Sequence, residues 1–302
     1  MDLDELLTAQ GGVVTREQAL TAGVSGRQLR PGERRLVRVR RGVYADATLL
    51  GLADEGAATA LQVAAARLAS AVDLIAAGET AALVHGLPVL GPRPARLHLA
   101  ERRPARPQHH GASTTLRPDE VITVRGVPVT DLARTAADVA RHRGFLSGVV
   151  IADAVLARGV SRDVLETALV GRDRWPGARA AVQAIAFADG RSESALESVG
   201  RVGFAQAGLP PPELQVVLCD EDGPFARVDQ YWKEYRTVAE ADGALKYRTP
   251  ADLFEEKRRE DRMRDLGEEV VRYTWEEALR RPQLLAARMR RAFMRSARRH
   301  AA

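Results

Sequence analysis

The sequence predicts a multidomain chain mixing α+β and α/β architecture, and three observations carry that expectation. Its 302 residues are 45% hydrophobic and 28% charged, a globular balance, and a domain of about 150 residues makes that length two domains or more. Aromatic residues are unevenly divided: residues 1–186 hold three (Tyr44, Phe145, Trp175), whereas 187–302 hold eleven. Ala-rich stretches of helical spacing also give way to short β-branched runs bounded by turn residues. These shifts place domains at 1–48, 49–185 and 186–302.

No apolar run reaches the ~18 residues of a membrane span. Asp2, Asp4 and Glu5 open the chain in place of the basic stretch of a secretory signal. A single cysteine, Cys219, forms no internal disulfide and fits a reducing cytoplasm, so a cytoplasmic protein without a membrane partner is expected. Lys and Arg total 45 against 40 Asp and Glu, a net charge of +5. Distribution says more than the sum. Residues 27–41 carry seven arginines and one acid, Glu33, and residues 280–299 carry eight arginines and no acid. With only three lysines in the chain, arginine abundance by itself is compositional.

Residues 1–46 read as three short helices and a strand pair. Asp2 with Glu5, and Thr15 with Gln18, are capping-box pairs, and Leu3, Leu6 and Leu7 share one apolar face. Gly11-Gly12 and Gly23 end the first two helices, and Ser25 caps a third that stops near Pro31-Gly32. LVRVRRGVYA then forms a β-ribbon. This order is that of a winged helix-turn-helix, with Arg27, Gln28 and Arg30 on the recognition helix and Arg34, Arg35, Arg38, Arg40 and Arg41 on the wing. Such a helix fits the major groove of double-stranded DNA, and the wing's guanidinium groups reach phosphates. A solvated basic surface on a protein-interaction module is the alternative.

GGVVTREQALTAGVSGRQLR, followed by RLVRVRRGVYA, resembles the N-terminal domain of AbiEi-like antitoxins of type IV toxin–antitoxin systems. The resemblance covers about the first 45 residues and implies a winged helix that binds operator DNA. ALVHGLPVLG and LARTAADVARHRGFLSGVVIADAVLARG are similar to the linking region of the same group. A nucleotidyltransferase-like toxin is the partner this likeness implies.

The middle is expected to be mostly helical scaffolding, with strand-like runs only near 113–130. His98, His109 and His110 match no zinc-ligand spacing and read as a polar loop.

Beyond Gly190 the pattern is helix, strand, strand, strand. ELQVVLCD, FARVDQYW and TVAEAD are the strands. A four-residue turn at Lys233–Arg236 pairs Trp232 with Thr237, so the indices of paired residues sum to 469 and Asp229 faces Glu240. Like charges directly opposite are destabilising unless a cation lies between them or one is protonated. Asp242 follows on the same face and Lys246 four residues later. Oxygen donors without histidine or thiolate suit Mg²⁺ or Mn²⁺, with Asp229 and Glu240 as the ligands, and Lys246 suits a developing phosphoryl charge. The alternative is a salt-bridged sheet face. Glu197 has a structural reading of its own, as the N3 residue of a Ser-x-x-Glu cap.

SESALESVGRVGFAQAGLPPPELQ, RVDQYW and VAEADGALKY resemble the PD-(D/E)xK nuclease superfamily, nearest the very-short-patch-repair-like endonuclease domains. LFEEKRREDRMRDLGEEVVRYTW continues the likeness, which covers roughly residues 191–280. It implies a restriction-endonuclease-like α/β domain that hydrolyses phosphodiesters with Mg²⁺. Asp229 and Glu240 would be metal ligands, Glu197 an accessory acid and Lys246 a displaced lysine. The superfamily's Glu-x-Lys reads Glu240-Ala241-Asp242 here, which leaves open a domain kept for binding DNA or a toxin. The arginines of 283–299 give the last helix a phosphate-contacting or simply solvated face.

Overall fold

The computed structural model describes residues 1–30, 35–102, 116–243 and 250–300, the side chains of 250–253 excepted. Twelve α-helices and eleven strands in three small sheets make up these described residues, a mixed α/β protein. The chain divides into two compact units, 1–151 with 160–186 and 152–159 with 187–302. Among the described residues no helix is long and apolar enough to cross a membrane.

In the first unit, α1 (Leu3–Ala9) is closed by reciprocal bonds: the Glu5 N–H donates to Asp2 Oδ1 and the Asp2 N–H to Glu5 Oε2, both at 2.8 Å. Gly11 and Gly12, at φ +68° and +87°, turn the chain where a side chain would be strained. A short strand, β1 (Val13–Thr15), precedes α2 (Arg16–Thr21), whose Thr15–Gln18 box is also reciprocal, at 3.1 and 2.9 Å.

The expected third helix is corrected to a pair of turns. In residues 25–30 the Gln28 N–H donates to Ser25 O and the Arg30 N–H to Arg27 O, three residues back, and no α-helix forms. Gly26 weakens helix there, Gln28 Oε1 ties back to the Ser25 N–H and hydroxyl, and Pro31 disfavours the α region at Arg30.

β2 (Leu36–Arg40) and β3 (Val43–Asp46) follow, and the sheet order is β1-β3-β2, antiparallel throughout. One face covers Leu6, Leu7, Val14, Ala19 and Tyr44.

The other face of that sheet packs on the middle segment. α3 (Ala47–Leu52) leads to α4 (Glu55–Leu68), β4 (Leu74–Ala76), α5 (Gly78–Val84), β5 (Leu99–Glu101), β6 (Val121–Val124) and β7 (Val127–Thr130). The middle segment holds more helix than strand and also contains a four-stranded sheet, β5-β4-β7-β6, with β4 and β7 parallel. β6 and β7 fall in the strand-like run expected there, whereas β4 and β5 have only three residues each, too short for alternation to announce them. Alanines 60, 64 and 65 of α4 lie in one core with Val13, Val43 and Ala45 of the first sheet and Ala76, Val127 and Val129 of the second.

Next come α6 (Leu132–Ala157), interrupted at Gly144 with φ +82°, α7 (Arg162–Thr167) and α8 (Ala178–Phe187). Arg134, Arg141 and Arg172 place their guanidinium carbons 4.7–4.9 Å from the Trp175 ring centre, a cation–π cluster balanced by buried Glu120 and Asp138.

The second unit contains α9 (Ala195–Gln206), β8 (Glu213–Asp220), β9 (Gly223–Trp232), β10 (Thr237–Ala241), α10 (Pro250–Asp265), β11 (Glu269–Tyr273), α11 (Trp275–Arg280) and α12 (Pro282–His300). Its sheet runs β11-β10-β9-β8, with β8, β9 and β10 antiparallel and β11 parallel to β10. Left-handed Arg236, at φ +40°, closes the β9–β10 turn, and the register is Trp232↔Thr237, Tyr231↔Val238 and Gln230↔Ala239. One sheet face buries Val228, Tyr231 and Val238 with Met263 of α10. On α9, Phe204 meets Trp232 and Tyr273 edge-to-face at 5.4 and 5.7 Å. Asp153 joins this unit by accepting from Arg201 at 2.7 and 2.9 Å.

Candidate functional site

The second unit gathers an acidic centre. Glu197 lies in the first turn of α9, where its N–H donates to the Ser194 hydroxyl at 3.2 Å. Its Oε2 accepts from the Glu193 N–H at 3.0 Å and from Gln215 Nε2 at 2.9 Å. Gln215 reaches it because it interrupts β8 in a left-handed conformation, φ +55°, uncommon for a residue with a side chain. Asp229 stands between the ladder pairs of β9, and its Oδ2 accepts the Ala241 N–H at 2.8 Å. The regular β9–β10 pairing ends one step earlier, at Gln230↔Ala239.

Glu240 is 4% exposed. Both its oxygens accept from the same nitrogen of Arg259, at 3.0 and 3.1 Å, and Arg272 lies 3.7 Å away. Arg272 is also its partner in the parallel β10–β11 register. Arg259 and Arg272 in turn pair with Glu256.

Charge coupling draws these groups together. Burial, and secondarily the Asp229 charge, push the Glu197 carboxyl above the usual range. Burial also raises Glu240, reinforced by Glu256 and Asp229 and opposed by Arg259. The Tyr273 hydroxyl is held well above its ordinary value by burial and by the charges of Asp229 and Glu197. Asp229 is therefore the common electrostatic neighbour of Glu197, Glu240 and Tyr273. Asp242 lies just past β10, half-buried, with its N–H donating to Tyr273 O at 2.8 Å. Lys246 lies outside the described residues.

A divalent ion needs several oxygens converging on one point. Among the described residues no group of three His, Cys, Asp or Glu side chains is so arranged. The Glu240 carboxylate faces guanidinium groups, and one Asp229 oxygen is taken by a backbone N–H. This arrangement does not fit Mg²⁺ or Mn²⁺ as the acids stand.

In the first unit, Arg38, Arg40 and Arg41 are exposed on the β2–β3 hairpin, and their side chains make no hydrogen bond or ion pair among the described residues. Arg35 is bound to Asp4. Arg27 and Arg30 lie in the turns of residues 25–30 with Gln28, whose side chain is engaged by Ser25. Arg34 lies outside the described residues, as do His109 and His110.

Sequence reasoning missed four members of the acidic centre. Gln230 is fully buried and donates to Glu197 O at 3.0 Å and Tyr273 Oη at 3.1 Å. Tyr273 approaches α9 because residue 200 is glycine: a Cβ there would stand 2.3 Å from its hydroxyl oxygen. Arg259 and Arg272 were hidden in a charged stretch where any acid is a plausible partner. The usable signal was strand position, since a parallel β11 sets Arg272 beside Glu240.

No family model matches the chain, and no solved structure matches it. Over 169 residues it is 34% identical to an uncharacterized protein of Mycobacterium tuberculosis, present in strains CDC 1551 / Oshkosh and ATCC 25618 / H37Rv. The matched stretch is 56% of this chain and spans 62% of the relative's length.

Proposed function

We propose that the chain is a double-stranded-DNA-binding protein of the antitoxin or repressor kind, with an N-terminal module that presents a basic β-ribbon before a nuclease-type α/β domain that binds without cutting. Three exposed arginines on a two-stranded ribbon, whose side chains have no partner among the described residues, support the first half, because a ribbon of this kind carries guanidinium groups to phosphates. The helix–three-strand–helix–strand order of α9 to β11 supports the domain assignment. The observation that carries the non-cutting reading is the engagement of Glu240 by Arg259 and Arg272. An acid so neutralised serves architecture, and the basic faces remain for DNA or a toxin partner.

Mg²⁺-dependent phosphodiester hydrolysis is the second reading, favoured by the electrostatic reach of Asp229 to both Glu197 and Glu240. It requires the two arginines to leave Glu240. Supercoiled plasmid incubated with the full chain and Mg²⁺ separates the readings. Retarded but intact plasmid, unchanged in Asp229→Ala and Glu240→Ala, is expected. Nicking by the wild type that both substitutions abolish establishes hydrolysis instead.

A further inference from the structure

We propose that the outward face of α12 is a second contact surface for the phosphate backbone of duplex DNA, carried by Arg291 and Arg298 together with Arg280 of α11. The inference rests on the DNA-binding reading and extends it from the ribbon of the first unit to the second unit.

α12 is held through its inner face. Leu285, Met289, Ala292 and Phe293 are buried, and the Phe293 ring stacks on Tyr235 at 4.1 Å and meets Trp232 at 5.6 Å. This packing leaves Leu284, Arg291, Met294 and Arg298 exposed. Their spacings of seven, three and four residues put all of them on one helical face, opposite the buried one.

The eight arginines of residues 280–299 fall into two sets. Arg281 pairs with Glu276 at 3.1 Å, Arg288 with Glu277, and Arg295 and Arg299 both with Glu269 at 2.8 Å. Arg290 donates to Ala207 O. These five fasten the helix to its neighbours. Arg280, Arg291 and Arg298 are exposed, and their side chains make no hydrogen bond or ion pair among the described residues. The stretch contains no acid, so the counter-charge for these three comes from solution or from a polyanionic partner.

Spacing favours the duplex. Arg291 and Arg298 stand two turns apart, about 10 Å along the helix axis. Successive phosphates of one strand advance about 3.4 Å, so the two guanidinium groups match phosphates about three steps apart. An anionic bilayer also attracts basic helices, but such a helix buries its broad apolar face in the lipid. That face of α12 is already buried in the protein. Phosphate contacts carry no base information, so this surface adds affinity without sequence preference.

Duplex binding by the full chain, measured across a salt series on two duplexes of equal length and unrelated sequence, tests this. Arg280→Ala, Arg291→Ala and Arg298→Ala combined should weaken binding to both duplexes alike and lower the slope of log K against log salt by about 2–3. Lysine at the same three positions should keep the slope, and the melting midpoint should not move in either variant. A wild-type slope in the alanine variant, while alanine at Arg38, Arg40 and Arg41 still lowers it, overturns the α12 surface and leaves the DNA-binding reading standing. Absence of duplex binding by the wild type overturns both. Unchanged duplex binding with lost adsorption to phosphatidylserine vesicles assigns the face to membrane and overturns the proposal.

Discussion

One guanidinium nitrogen of Arg259 donates to both carboxylate oxygens of Glu240, at 3.0 and 3.1 Å, across the gap between α10 and the sheet. Glu240 is buried and Arg259 partly exposed, so removing the arginine strands a buried acid whereas removing the acid strands less. Arg259→Ala is expected to cost about 1–3 kcal/mol in urea unfolding. Glu240→Gln combined with it should recover at least about 0.5 kcal/mol relative to the sum of the two single changes. Strict additivity would mean that the ion pair contributes nothing to folding.

The acid centre also sets a pH dependence. Folding raises the Glu197 carboxyl above its ordinary 4.5, chiefly by burial. The folded state therefore holds that proton more tightly than the unfolded chain. The resulting stability is complete below 4.5 and disappears as pH rises through the raised value. Wild type should gain stability relative to Glu197→Gln as pH is lowered from about 7 to about 4. The glutamine keeps the capping acceptor, so the comparison isolates the charge. Denaturation midpoints of the two proteins that stay parallel across this range would refute the assignment.

Two glycines in α9 make a matched pair. At Gly200 a Cβ would lie 2.3 Å from the Tyr273 hydroxyl oxygen, whereas at Gly203 its nearest neighbour would be 3.7 Å away. Gly200→Ala should destabilise by about 1–3 kcal/mol through overpacking. Gly203→Ala should stabilise by up to about 1 kcal/mol, because alanine is the better helix former. Thermal melts showing the same sign for both would contradict the packing of β11 on α9.

Local chemistry was legible where it acts over a few residues. The Asp2–Glu5 and Thr15–Gln18 boxes form with both of their bonds, and the length of the Lys233–Arg236 turn gave the observed β9–β10 register. That register did not carry through to Asp229 as a ladder pair, because its carboxylate takes the Ala241 N–H. The recognition helix failed on Gly26 and Pro31, two residues whose joint effect outweighs a serine cap. Arg259 and Arg272 sit among several acids, and only the parallel placement of β11 selects Glu240.

Binding to duplex DNA as a function of salt is the most direct test of the central claim. The full chain should bind duplex with a steep fall in affinity as salt rises. Replacing Arg38, Arg40 and Arg41 together by alanine should weaken binding and lower the slope of log K against log salt by about 2–3, roughly one for every phosphate that an arginine no longer neutralises. Identical affinity and slope in the wild type and the triple variant would contradict the account.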